Sequence, residues 1–88
     1  MTYLIIERFE GKNPRPVYER FDQLGRLMPD GVSYITSWIN DDVSECYQII
    51  ESDDRALIDK WISNWSDIVE FEVKPVITSQ EARAKVMG

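Results

Sequence analysis

The apolar positions along the chain switch between two rhythms, and the switches mark out its elements. Residues 3–9, YLIIERF, are rich in aromatic and β-branched types and stop at Gly11, which predicts a strand and a turn. Asn13-Pro14 then predicts a helix start, because asparagine caps and proline is tolerated in a first turn. At ~100° per residue, Val17, Phe21, Leu24 and Met28 share a stripe only about 60° wide. Asp22 and Arg26 lie opposite, at an i, i+4 spacing that predicts a weak ion pair. Gly25 is a poor helix former and reads as a point of close packing; Pro29-Asp30-Gly31 ends the helix.

Residues 32–39, VSYITSWI, and 45–51, ECYQIIE, predict two more strands joined by a polar hairpin loop at 40–44. Ser52 or Asp53 is the expected cap of a second helix. On that helix Leu57, Ile58, Trp61, Ile62 and Trp65 form one continuous apolar stripe, so both tryptophans are expected to point inward. From Ile68 the rhythm becomes strict alternation: Val69, Phe71 and Val73 are interleaved with Glu70, Glu72 and Lys74, predicting a fourth strand over roughly 68–77. Thr78-Ser79-Gln80-Glu81 has the form of a capping box opening a short C-terminal helix.

The order βαββαβ plus a terminal helix predicts one α+β domain over residues 1–88, of ferredoxin-like type. Right-handed crossovers give a four-stranded antiparallel sheet in the order 4-1-3-2 with both main helices on one face. The other face is then left bare. Val69, Phe71 and Val73 are expected under the helices, as are Ile35 and Ile39; Tyr34, Thr36 and Trp38 are expected on the open side. A glutamine beneath a helix is costly unless hydrogen-bonded, so Gln48 is assigned to the open face together with Cys46 and Ile50. Tyr3, Ile5 and Glu7 are placed there too. Such a face is apolar in its middle and acidic at its border, which marks an interface or a ligand wall.

Charge and composition narrow the chemistry. A net charge of −6, with ten basic residues scattered along the chain, argues against nucleic acid and anionic membranes as partners. No apolar run reaches the ~18 residues of a membrane span, and the acidic N-terminal stretch does not read as a signal peptide. Cys46 is alone, which fits a reducing cytoplasm. The chain has no histidine, which removes the usual zinc sites and the Ser-His-Asp and Cys-His nucleophiles. No glycine-rich phosphate loop is present. No metal and no cofactor is therefore expected.

The segments "PVYERF" and "DDRALIDKWISNWSDIVEFEVKPVITSQEA" resemble a family of small bacterial proteins described as domain of unknown function 3303. That family is in turn similar to the dimeric α+β barrels, in which two ferredoxin-like subunits pack sheet against sheet. The resemblance implies a homodimer and supplies no catalytic residues.

Among the individual candidates, Trp61 and Trp65 read as core and Cys46 as a small buried hydrophobe. Trp38, on an edge strand among polar neighbours, reads as a dimer contact or ligand wall. Glu70 and Glu72 stand ~6.6–6.8 Å apart on one strand face, but beside Lys74 they suit a solvated edge better than an acid–base pair. Tyr3, Tyr34 and Tyr47 are expected to cover sheet surface rather than donate protons. Glu7 is the one weak catalytic candidate, because a central strand could bury it and raise its pKa; the competing role is a hydrogen bond across a dimer. Tyr34, Trp38, Gln48, Ile50 and Glu7 thus make up the expected ligand or dimer face. Two functional readings follow. One is a non-catalytic homodimeric module that binds a small hydrophobic ligand or a protein. The other, whose monooxygenase or isomerase type is implied only by the resemblance to the dimeric barrels, is a cofactor-independent enzyme acting on a small hydrophobic metabolite, with Glu7 as base and Tyr34, Trp38 or Gln48 positioning the substrate. An enclosed pocket of ~300 Å³ or more, with Glu7 or Glu51 converging on it, would favour the enzyme.

Overall fold

The computed structural model describes residues 1–88. Strand β1 (Thr2–Phe9) leads through a 3-10 turn into α1 (Arg15–Leu24), β2 (Ser33–Ile39) and β3 (Glu45–Glu51) form a hairpin, and α2 (Arg55–Ser63), β4 (Val69–Val76) and α3 (Ser79–Met87) follow. The four strands make one antiparallel sheet in the order β2-β3-β1-β4, the expected ferredoxin-like arrangement read from its other edge.

The local signals act largely as anticipated, with corrections at the helix ends. Asp54, rather than Ser52 or Asp53, caps α2 by accepting the Ala56 N–H at 2.9 Å, while buried Ser52 hydrogen-bonds the Asp54 backbone. The Thr78–Glu81 capping box of α3 is complete in both directions. Gly25 is not a packing point: nothing lies within 4 Å of where its Cβ would stand. It ends α1 with φ +71°, a conformation glycine adopts without a Cβ penalty. The helix therefore stops before Arg26, and the expected Asp22–Arg26 ion pair does not form, because the i, i+4 spacing no longer lies on a helix.

The larger correction concerns which side of the sheet faces the helices. Tyr3, Ile5, Glu7 and Phe9 of β1 are buried, as are Cys46, Gln48 and Ile50 of β3. Pairing places Glu7 beside Cys46 and Phe71, Ile5 beside Gln48 and Val73, and Tyr3 beside Ile50, so all of these share the covered face. Placement of Glu7, Gln48 and Ile50 on the open side is thus reversed. Tyr34 also pairs with Ile50 on the covered side, since a bulge between Tyr34 and Thr36 inserts Ile35 and flips the alternation. Trp38 alone of the five keeps its expected orientation, opposite Tyr47 and three-quarters exposed. The bare face consists instead of Leu4, Ile6, Tyr47, Ile49, Thr36 and Trp38, bordered by Arg8, Glu45, Glu70, Glu72 and Lys74.

The core joins Tyr3, Ile5, Val32, Ile50, Ile58, Trp61 and Trp65, with a second cluster of Phe9, Cys46 and Val69. Ile5, Ile50 and Ile58 are fully buried, each worth about 1.5–3 kcal/mol by burial. Trp61 meets Phe71 edge-on, ring centroids 5.9 Å apart. By contrast, α1 buries no residue, and Tyr18, Phe21 and Leu24 stay substantially exposed. That helix stands off the sheet. Helix α3 also buries nothing, and it extends the molecule to a radius of gyration of 14.2 Å against the ~12 Å of a compact chain this long.

Candidate functional site

The gap beneath α1 is a half-open cavity of about 340 Å³. Its floor is the covered face of the sheet where side chains are small or polar: Glu7, Cys46, Gln48 and Ser37, with Ile39 and Phe9. Helix α1 contributes Val17, Tyr18, Phe21 and Asp22, and Trp61 and Trp65 come from α2 and the turn that follows it. Arg26 completes the lining. The volume arises because Ser37 and Cys46 offer little bulk just where α1 fails to close down. It lies at the lower end of the ~300–1,000 Å³ typical of small-molecule sites. A second depression of about 460 Å³, along Arg8–Gly11 and Ser66–Glu70, is mostly polar and contains no buried titratable group.

Glu7 is 5 % exposed, which matters because a carboxylate so placed needs compensation. Burial raises its pKa above the ordinary carboxyl value; a hydrogen bond from Gln48, the Cys46 thiol and the charge of Arg26 oppose that rise only in part. The Gln48 amide Nε2 donates to Glu7 Oε2. This leaves Gln48 Oε1 buried without a donor, the one such side-chain atom in the chain. An orphaned buried acceptor costs about 1–3 kcal/mol, so the site is built with an unfilled demand for an N–H or O–H. The Cys46 thiol is pushed up to about 12 by burial and then by the Glu7 charge, so it is a protonated spectator rather than a nucleophile. Tyr18, at the rim, is also shifted up, chiefly by burial.

The turn after α1 is held from several sides. Gly25 and Leu27 both have positive φ, +71° and +57°, and for a leucine that is a strained conformation. The indole N–H groups of Trp61 and Trp65 both donate to the Arg26 carbonyl, at 3.1 and 3.0 Å, and Asn64 Nδ2 donates to the Leu27 carbonyl at 3.1 Å. Arg20 reinforces the same side with a two-pronged pair to Asp67 at 2.8 and 2.7 Å. The two tryptophans are therefore core residues, as expected, that also form a cavity wall and anchor a loop.

Of the residues expected on a ligand or dimer face, Glu7 and Gln48 do converge, but inside the cavity. Ile50 lies in the core, and Tyr34 stacks against Arg26, whose guanidinium carbon is 3.7 Å from the ring centroid. Trp38, although flanked by the lining residues Ser37 and Ile39, points to the other side of the sheet and takes no part in the cavity. Glu70 and Glu72 form no acid–base pair: Glu72 is held low by Arg8 and then Lys74, with ion-pair distances of 2.9 and 3.3 Å. Tyr18, Phe21, Arg26 and Ser37 were not foreseen. The available signal was Gly25: a helix-ending glycine frees the next residue from the helix face. No group of three or more Asp, Glu or Cys is arranged to hold a metal ion, and no helix is long and apolar enough to cross a membrane.

A family model described as Domain of unknown function (DUF3303) matches residues 1–88. The chain belongs to this family. No curated protein and no solved structure matches it. Membership in DUF3303 covers every element of the site, from β1 to the turn after α2, without assigning a role to any of them.

Proposed function

We propose that this DUF3303 protein binds a small organic molecule in the cavity between its sheet and α1, and that Glu7 acts there as a general base. The observation that carries the reading is the Glu7–Gln48 pair on the cavity floor: a buried carboxylate with a raised pKa beside an amide oxygen that lacks its donor. A bound molecule that presents a hydroxyl or N–H would satisfy Gln48. A carboxylate whose pKa moves toward neutrality is a better proton acceptor than an ordinary one. The half-open form of the cavity favours a second reading, binding without turnover, because proton abstraction gains from exclusion of water.

A homodimer in a reducing cytoplasm is part of the same proposal. Leu4, Ile6, Ile49 and Trp38 form an apolar centre on the bare face, and Arg8 and Lys74 share its border with Glu45, Glu70 and Glu72. A two-fold axis through such a face can set the basic border of one copy against the acidic border of the other. Sheet-to-sheet association would leave the cavity, on the opposite face, accessible.

The test is native mass spectrometry of protein purified from its own host, with and without Ser37→Leu, which fills the cavity floor. The expected result is a small molecule retained by the wild type and absent from the variant, with turnover of that molecule lost in Glu7→Gln while binding persists. Binding retained and turnover absent in both would leave the passive binder. Retention unaffected by Ser37→Leu would place the molecule elsewhere and overturn the proposal.

A further inference from the structure

Arg26 is an anomaly in this charge distribution. Acidic residues outnumber basic ones, 16 to 10, and the other arginines between β1 and β4 each hold a carboxylate. Arg8 pairs with Glu72 and Glu45, Arg15 with Glu19, Arg20 with Asp67 and Arg55 with Asp59. Arg26 has no carboxylate oxygen within 4.0 Å, and its side chain makes no hydrogen bond, although it lines the cavity. Its guanidinium carbon lies 5.3 Å from the Phe21 ring centroid and 3.7 Å from that of Tyr34. Aromatic faces steady a guanidinium through its π surface and leave the N–H donors at its edge free for a partner. The backbone beneath it is strained at Leu27 and tied down by three side chains, Trp61, Asn64 and Trp65. A charged group so placed is pre-organised.

We propose that the occupant of the cavity is an organic anion whose carboxylate pairs with Arg26 while its hydroxyl donates to Gln48 Oε1. This inference rests on the cavity being a binding site and adds the chemical class of what it holds. A planar carboxylate matches the fork of a guanidinium, and the aromatic and aliphatic lining from Phe21, Ile39, Trp61 and Trp65 suits a compact apolar body between the two polar ends. Two acidic residues share the lining: Asp22 is exposed, so water moderates its repulsion of an anion, and Glu7 stands beside Gln48 at the hydroxyl end, where burial favours its uncharged form. An organic cation would instead meet Arg26 as a like charge.

Four probes of one shape separate the possibilities: para-hydroxybenzoate, its methyl ester, para-hydroxybenzyl alcohol and tyramine. Each is titrated to about 10 mM, a range that reaches fragment affinities near ~1 mM, while the indole N–H resonances of the full-length protein are followed. Trp38→Phe identifies the exposed indole; Trp61 and Trp65 report the site directly, because both bond to the Arg26 carbonyl. Para-hydroxybenzoate is expected to shift those two signals and to bind at least about 10-fold more tightly than the ester or the alcohol. Arg26→Gln should weaken the acid by about 10- to 100-fold, the range of a lost charge-assisted hydrogen bond, and abolish its advantage over the ester, while a circular dichroism spectrum like the wild type's certifies the variant as folded. Equal affinity for acid and ester, or preference for tyramine, overturns the anion and leaves the cavity reading standing. No shift with any probe overturns both.

Discussion

Replacing Glu7 by glutamine should stabilise this protein at neutral pH. In the wild type the Gln48 amide donates to Glu7, and Gln48 Oε1 is left without a partner. A glutamine at position 7 keeps the acceptor and adds an N–H, so the two amides can satisfy each other reciprocally. Filling a buried orphan acceptor is worth about 1–3 kcal/mol. For a domain of this size each kcal/mol raises the melting temperature by roughly 4–8 °C. The pH dependence has a definite sign. Burial raises the proton affinity of Glu7 in the folded state, so the folded chain holds that proton more tightly than the unfolded chain does. The resulting stabilisation is fully present below the unfolded carboxyl pKa of ~4.3 and is lost as pH climbs through the higher folded value. Above that value the wild type carries the cost of a buried carboxylate, and Glu7→Gln does not. The difference between the two proteins should therefore grow from about pH 4 upward and then level off, with every other titrating group cancelling in the subtraction. Urea unfolding followed by circular dichroism from pH 4 to pH 8 measures it. A Glu7→Gln protein that is less stable at pH 7, or a difference that does not change with pH, would refute the reasoning. Confirmation would identify a residue kept at the expense of stability, as residues at functional sites often are.

Trp38→Glu should separate the proposed dimer: light scattering at micromolar concentration is expected to give the wild type twice the 10.3 kDa chain mass and the variant one chain, with unchanged circular dichroism. A wild-type mass near 10.3 kDa sinks the dimer. Gly31→Ala should destabilise by about 1–3 kcal/mol, since Gly31 sits at φ +94° and an added Cβ would stand 2.7 Å from Leu57 Cδ1. Adding Leu57→Ala should remove the clash but not the backbone strain, and a neutral Gly31→Ala would contradict both. Cys46 should react with a disulfide reagent at neutral pH far more slowly than an exposed thiol, even though it lines the cavity, given its burial and a pKa near 12; labelling of the folded protein as fast as that of a free thiol would contradict the protonated, inert reading.

What could be read from one dimension was whatever short-range chemistry decides. The alternation of Val69, Phe71 and Val73 with Glu70, Glu72 and Lys74, the stripe from Leu57 to Trp65, and the Thr78–Glu81 box each contain their own orientation, because apolar and polar residues fall on opposite sides. Together they were sufficient for the element order and the sheet topology. β1 has no such contrast: Tyr3 and Ile5 on one side are matched by Leu4 and Ile6 on the other, so its phase is set only by pairing with β3 and β4. The rule that a buried amide needs a partner points Gln48 to the open face, because no partner is near it in the sequence. Its partner, Glu7, lies 41 residues away, and only the folded sheet brings the two together. A single inserted residue, Ile35, likewise turns Tyr34 to the helix side of the sheet, where it meets Arg26. The cavity itself is a property of tertiary structure alone: it is the space left where α1 ends early at Gly25 and stands above the small side chains of Ser37 and Cys46. Volume between elements depends on how closely they approach, and no single segment of the chain encodes that distance.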